Sequence, residues 1–205
     1  AVAQTRLRSE RRLIDIATGS PPIEPILSKA HKLDLPDWHL CAGCLTQSAW
    51  NHRFNLPYDH GIDDIDLIYF DPSDLSEDAE EDAAQRARIL FSNSKIRLDV
   101  KNEARVHNWY EGKFGVAIAP YSSLADAVAS FPTTATSIAL CKTDTTYEVI
   151  APYGLNDLFD GIVRPQLSVF GGAWIDNRWG ITAGIGMARL QQKVWADEIY
   201  LQRHW

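Results

Sequence analysis

Asp64 and Asp66 stand one residue apart in the stretch Gly61-Ile62-Asp63-Asp64-Ile65-Asp66, and the apolar run Leu67 to Phe70 follows at once. If that run is a strand, its period of two puts both carboxylates on one face, with β-branched Ile65 turned away. Two carboxylates side by side repel each other, and keeping both ionised in a half-buried sheet is costly. A divalent cation removes that cost, and hard Mg²⁺ (or Mn²⁺) suits carboxylate oxygen. The competing reading is a solvated turn of Asp63, Asp64 and Asp66 leading into the strand, with one of them capping the loop.

Two further features bear on the choice. Asp99 lies between Leu98 and Val100 on the alternating segment Ile96 to Lys101, which predicts a second strand carrying one inward-pointing carboxylate. Trp38 to Cys41 predicts a short strand, and Ala42-Gly43 turns from it into a helix near 44–53. A turn at Gly43-Cys44 would present backbone N–H groups and the positive end of the helix dipole, which suit a phosphate. Three carboxylates and a phosphate-binding turn are the ingredients of two-metal phosphoryl transfer, with cations about 3.5–4 Å apart. Lys101, Asn102 and Arg105 follow Asp99 closely and are candidates to touch nucleotide or acceptor; the alternative is a polar helix start. Tyr153 and Asp157 are candidates to stack on a base and orient a hydroxyl, or else belong to a helix-start turn with Asp157 as its cap.

The elements that must position these residues read as a mixed α/β pattern. Helices are expected over 5–18 and 22–34, the first ended by Gly19-Ser20-Pro21-Pro22. Strands are expected near 38–41, 64–70 and 96–101. Residues 72–90 read as a helix with Ser73 as N-cap, acids early and Arg86 and Arg88 late, its acidic run a solvated face. A helix at 121–130, a hairpin of 136–142 with 146–151, and a short helix after Pro152-Tyr153-Gly154 complete the core. One domain is expected over 1–205, with a core at about 22–160. In the C-terminal extension at 165–205, glycines and Trp174, Trp179 and Trp195 obscure any period.

With 205 residues, 45% of them hydrophobic, the chain can bury one sizeable core. Its net charge of −7, without a dense Lys/Arg stripe after residue 12, favours a small-molecule or protein acceptor over a long nucleic acid. The opening AVAQTRLRSERR lacks the apolar stretch of a secretory signal, and no run approaches the ~20 apolar residues of a membrane span. A cytoplasmic protein is the expectation. Cys41-Ala42-Gly43-Cys44 is a CxxC ahead of a helix, open to a thiol–disulfide reading or to two small buried thiols. His39, His52 and His60 lack the paired spacing of zinc frameworks.

The chain resembles the bacterial nucleotidyltransferase-like family of the polymerase-β-like nucleotidyltransferase superfamily. The resemblance rests on Leu35-Pro36-Asp37-Trp38 with Ala42-Gly43 and Trp50-Asn51, and on Asp64-Ile65-Asp66 with Tyr69-Phe70-Asp71. Val100 to His107 and Ala151 to Phe159 extend it, so that it covers residues 35–160. It implies a compact α/β domain with a short mixed sheet flanked by helices, and transfer of a nucleoside monophosphate from an NTP. It names no acceptor. Cys44 stands where many relatives have a phosphate-binding serine, and Asn156 where a second acid would be expected beside Asp157. An inactive nucleotide- or protein-binding module of the same fold is the second reading.

Overall fold

Leu67 to Tyr69 is an unbroken apolar run because its strand is covered on both faces. In the computed structural model, which describes residues 2–164, this strand is β2 (Asp64–Tyr69). It lies in a five-stranded sheet with β1 (His39–Cys41), β3 (Arg97–Asn102), β4 (Ala139–Lys142) and β5 (Tyr147–Ile150), in the order β3-β2-β1-β4-β5. β2 and β3 run parallel and every other neighbouring pair antiparallel, so the sheet is mixed. A parallel pair needs a crossover, and α4 (Glu77–Leu90) provides it.

Leu40, Ile65, Leu67, Val100 and Leu140 meet the main core on one face, formed with α1 (Val2–Thr18), α2 (Glu24–Lys29), α3 (Gly43–Phe54), α4 and α7 (Asn156–Asp160). On the other face Cys41, Ile68 and Ala139 pack under Leu124 and Val128 of α6 (Leu124–Ala129). The remaining helix, α5 (His107–Phe114), follows β3 after a 3₁₀ turn at Glu103–Arg105. Among the described residues no helix is long and apolar enough to cross a membrane. The extension expected at 165–205 lies outside them.

Several expectations are corrected locally. The helix expected over 22–34 is shorter, Glu24–Lys29, and gives way at Ala30 to a 3₁₀ turn that ends at Leu33, where Asp34 turns left-handed at φ 52°. Ser76, not Ser73, caps α4: its Oγ accepts the Ala79 N–H at 3.2 Å, while Asp71 holds the Ser73 N–H in the preceding turn. The helix expected at 121–130 is shorter and is capped by Ser123.

The acidic run of α4 is not wholly a solvated face. Glu80 is buried, and it accepts hydrogen bonds from Arg105 Nη1 and from the Asn102 N–H, each at 2.8 Å. Asn102 Oδ1 in turn accepts the Asp71 and Ala104 N–H groups, and its Nδ2 donates to the Asp71 carbonyl at 2.9 Å. This network ties α4 to the end of β3 and to the loop leaving β2.

Candidate active site

The parallel register sets Asp66 beside Asp99 and Asp64 beside Arg97. Side chains at matched positions share a face, so Asp64, Asp66 and Asp99 all lie on the face that α6 covers farther along. Burial, then the charges of Asp64 and Asp99, push the Asp66 carboxyl up to about 7, against the opposing pull of Arg97 and Lys101. Arg97 Nη2 donates to Asp64 Oδ2 at 2.7 Å, and Lys101 Nζ lies 3.9 Å from Asp99 Oδ1. Two partial cation contacts leave three carboxylates under-neutralised. As a set of three hard oxygen donors on one sheet face, the row fits a divalent cation.

Two residues of this neighbourhood escaped the sequence reading. Arg97 was legible: Arg97, Asp99 and Lys101 alternate on one strand and must share a face. Glu103 was not. It is buried just beyond β3, and burial followed by the charges of Asp66 and Glu80 pushes its carboxyl up to about 8. Only the fold brings that group close enough to Asp66 to feel its charge.

β1 sets Cys41 across from Asp66 on the side opposite β3. The chain then turns at Ala42, whose φ of 53° and ψ of −124° are rare for any residue but glycine, and α3 begins at Gly43. The Ala42 N–H donates to the Ile138 carbonyl at 3.0 Å, which holds the strained turn to the strand beside it. No side chain caps α3, which begins two residues after Cys41, the register partner of Asp66, so its first turn offers backbone groups alone. A Cβ at Gly43 would meet no atom within 4 Å, so the fold itself does not require glycine there.

Cys44 differs from a serine reaching for phosphate. Its side chain is buried and donates to the Cys41 carbonyl at 3.3 Å. Burial, then the charge of Asp66, pushes both thiols above the usual range, and both are free. The helix N-terminus therefore yields no thiolate, and the pair packs as two small buried groups.

Of the nucleotide-contact candidates, Lys101 Nζ lies between the acid row and Glu80, 3.9 Å from Asp99 and 3.8 Å from Glu80, whereas Asn102 at the end of β3 and Arg105 just beyond it hydrogen-bond Glu80 directly. Tyr153 is partly exposed and donates to the Ala129 carbonyl at 2.7 Å. Asp157 does not cap α7. It accepts from Thr134 and Arg164, and although burial would raise its carboxyl, these bonds hold it below the usual value. Neither residue joins the Asp64/Asp66/Asp99 row.

Strain at Ala42 has a measurable consequence. Relief of such a conformation is worth about 1–3 kcal/mol, offset by about 1 kcal/mol for the lost methyl and the freer unfolded chain. Ala42→Gly should therefore be neutral or stabilising by about 1 kcal/mol in urea melts. Ala49→Gly, inside the same helix and buried, should cost about 1 kcal/mol or more. Equal losses at the two positions would contradict the assigned strain.

A family model described as nucleotidyltransferase matches residues 28–195. Among solved structures, the chain is similar to an NMR structure described as revealing a CCA-adding enzyme head domain. The TM-score is 0.68 at 25% identity, covering 92% of this chain and 91% of that one. No curated protein matches the chain.

Proposed function

Because the chain belongs to the nucleotidyltransferase family, we propose that it transfers a nucleoside monophosphate from an NTP to an acceptor hydroxyl and releases pyrophosphate. The observation that supports this reading is the row of Asp64, Asp66 and Asp99 beside the uncapped start of α3. The three carboxylates would hold two Mg²⁺ or Mn²⁺ ions, which supply charge neutralisation on the triphosphate and acidify the acceptor hydroxyl.

The chain's own groups divide the remaining work. Backbone N–H groups at Gly43 and Cys44 bind the β- and γ-phosphates, and Lys101 and Arg97 supply positive charge at the edge of the row. Asp99 accepts the proton of the attacking hydroxyl. The acceptor oxygen bonds to the α-phosphorus as the bond to the bridging oxygen breaks. Pyrophosphate departs as a stabilised anion, so no separate general acid is needed. The net charge of −7 favours a small molecule or a protein hydroxyl as acceptor over a long RNA.

Calorimetry with each of the four NTPs in Mg²⁺ or Mn²⁺, followed by labelled NTP with cell extract, tests the proposal. At least one NTP should bind, and a labelled acceptor should form that disappears with chelator and with Asp64→Asn. Gly43→Val should weaken NTP binding about tenfold or more through steric contact with the phosphates, while the melting temperature changes little. Failure of all four nucleotides to bind would sink the proposal and leave a binding module of the same fold.

A further inference from the structure

On the same sheet face as the acid row, one step along β1, lies a cluster of different chemistry. Cys141 and Glu148 are register partners on β4 and β5, and the pairing of Leu40 with Leu140 carries His39 opposite Cys141. The three residues thus form one row across three adjacent strands, and their ligand atoms all lie within 4.8 Å of one another. In sequence His39 lies about a hundred residues ahead of Cys141 and Glu148, so no spacing motif announces the three together.

The imidazole is set up as a ligand. His39 is 1% exposed, and its Nε2 is buried with no hydrogen-bond partner among the described residues. Its Nδ1 lies 3.3 Å from the Asp37 carbonyl, an acceptor only, so the proton sits on Nδ1 and the Nε2 lone pair is free. Metal-bound histidines are commonly oriented this way, with the second nitrogen donating to a backbone carbonyl. Leaving that nitrogen unpaired in the interior costs about 1–3 kcal/mol, which a bound ion would offset. Cys141 is buried and free, while Glu148 is exposed and gives the row an opening to solvent.

We propose that His39, Cys141 and Glu148 form a second metal site, for Zn²⁺ or an ion of similar softness, separate from the Asp64/Asp66/Asp99 row. A thiolate, an imidazole and a carboxylate suit zinc or cobalt, whereas Mg²⁺ prefers oxygen alone. These three ligands, from among the described residues, leave a fourth position of a tetrahedral site to be filled. Binding replaces the Cys141 thiol proton, which passes to solvent as the S–metal bond forms, and no electron is transferred. The ion would cross-link β1 to the β4–β5 hairpin, and through β1 would brace the strand that leads into α3.

Cobalt(II) titration of the metal-free full-length chain, with excess Mg²⁺ to occupy the acid row, tests the site. The wild type should show a thiolate-to-cobalt charge-transfer band at one equivalent, and Zn²⁺ should bleach it. Cys141→Ser should remove the band, and His39→Gln should weaken affinity on the order of 100-fold, as circular dichroism confirms that both are folded. Glu148→Gln, on an exposed side chain that the fold does not need, should weaken affinity about tenfold or more. Asp66→Asn should leave the band in place. Absence of the band in the wild type, its survival in Cys141→Ser, or unchanged affinity in Glu148→Gln would each overturn the proposal.

Discussion

Asp66→Asn is expected to lower nucleotidyl transfer on the order of 10³-fold or more while making the metal-free protein more stable. Both effects come from one carboxylate. Asp66 is the member of the acid row whose carboxyl burial and two like charges push up to about 7, from 3.8 in the unfolded chain. Since the folded state favours its protonated form, the stability it contributes is complete below about pH 4 and is lost as pH rises through about 7. Asparagine has no such dependence. The advantage of the variant should therefore grow between pH 4 and 7 and then level off, reaching about 1–3 kcal/mol after screening by Arg97, Lys101 and solvent. Glu103, raised to about 8, adds a decline of the same sign to both proteins. Thermal melts in chelator across this range measure the difference, and a variant less stable than wild type at pH 8 would contradict it. Binding of Mg²⁺ requires the ionised carboxylate, so affinity should weaken as pH falls below about 7.

Arg105→Ala should cost about 3 kcal/mol of stability, because the buried Glu80 carboxylate loses its 2.8 Å partner and keeps the more distant Lys101 Nζ, 3.8 Å away, to offset its charge. Arg105 Nε also donates to the Leu75 carbonyl at 3.1 Å, so the loss reaches the loop ahead of α4. Adding Glu80→Gln should restore part of the loss. A neutral glutamine removes the stranded charge, yet its oxygen still accepts the Asn102 N–H. Urea melts combined with NTP titrations separate this role from nucleotide contact. If Arg105 instead reached the nucleotide, the variant would melt like wild type and bind NTP more weakly.

The acid pair, the strand that carries it and the helix that follows β1 were all legible in the sequence, since each rests on a local period or a local turn signal. Asp64 and Asp66 share a face whatever the sheet does, because alternation is a property of a single strand. Asp99 was found in the same way, and Arg97 could have been. The acids of residues 77–82 looked uniformly solvated because helix periodicity shows which residues share a side but not what packs against it. Glu80 was singled out by Arg105 and Asn102, which reach it from beyond β3. The structural partners of Asn102 and Arg105, Glu80 above all, lie too far along the chain for any local pattern to show.

The sequence by itself determined a mixed α/β chain, its likeness to the nucleotidyltransferase family, and the residues able to supply carboxylates at the end of a core strand. What the tertiary structure alone decided was which residues stand across from which. Strand register set Asp99 beside Asp66 and Cys41 across from it, and lined up His39, Cys141 and Glu148, while the packing of the segments that follow β1 and β3 buried Cys44 and Glu103. Those outcomes depend on long-range pairing between strands. A local hydrophobic pattern specifies the inward and outward faces of a strand, but the identity of its neighbours is fixed only when the whole sheet assembles.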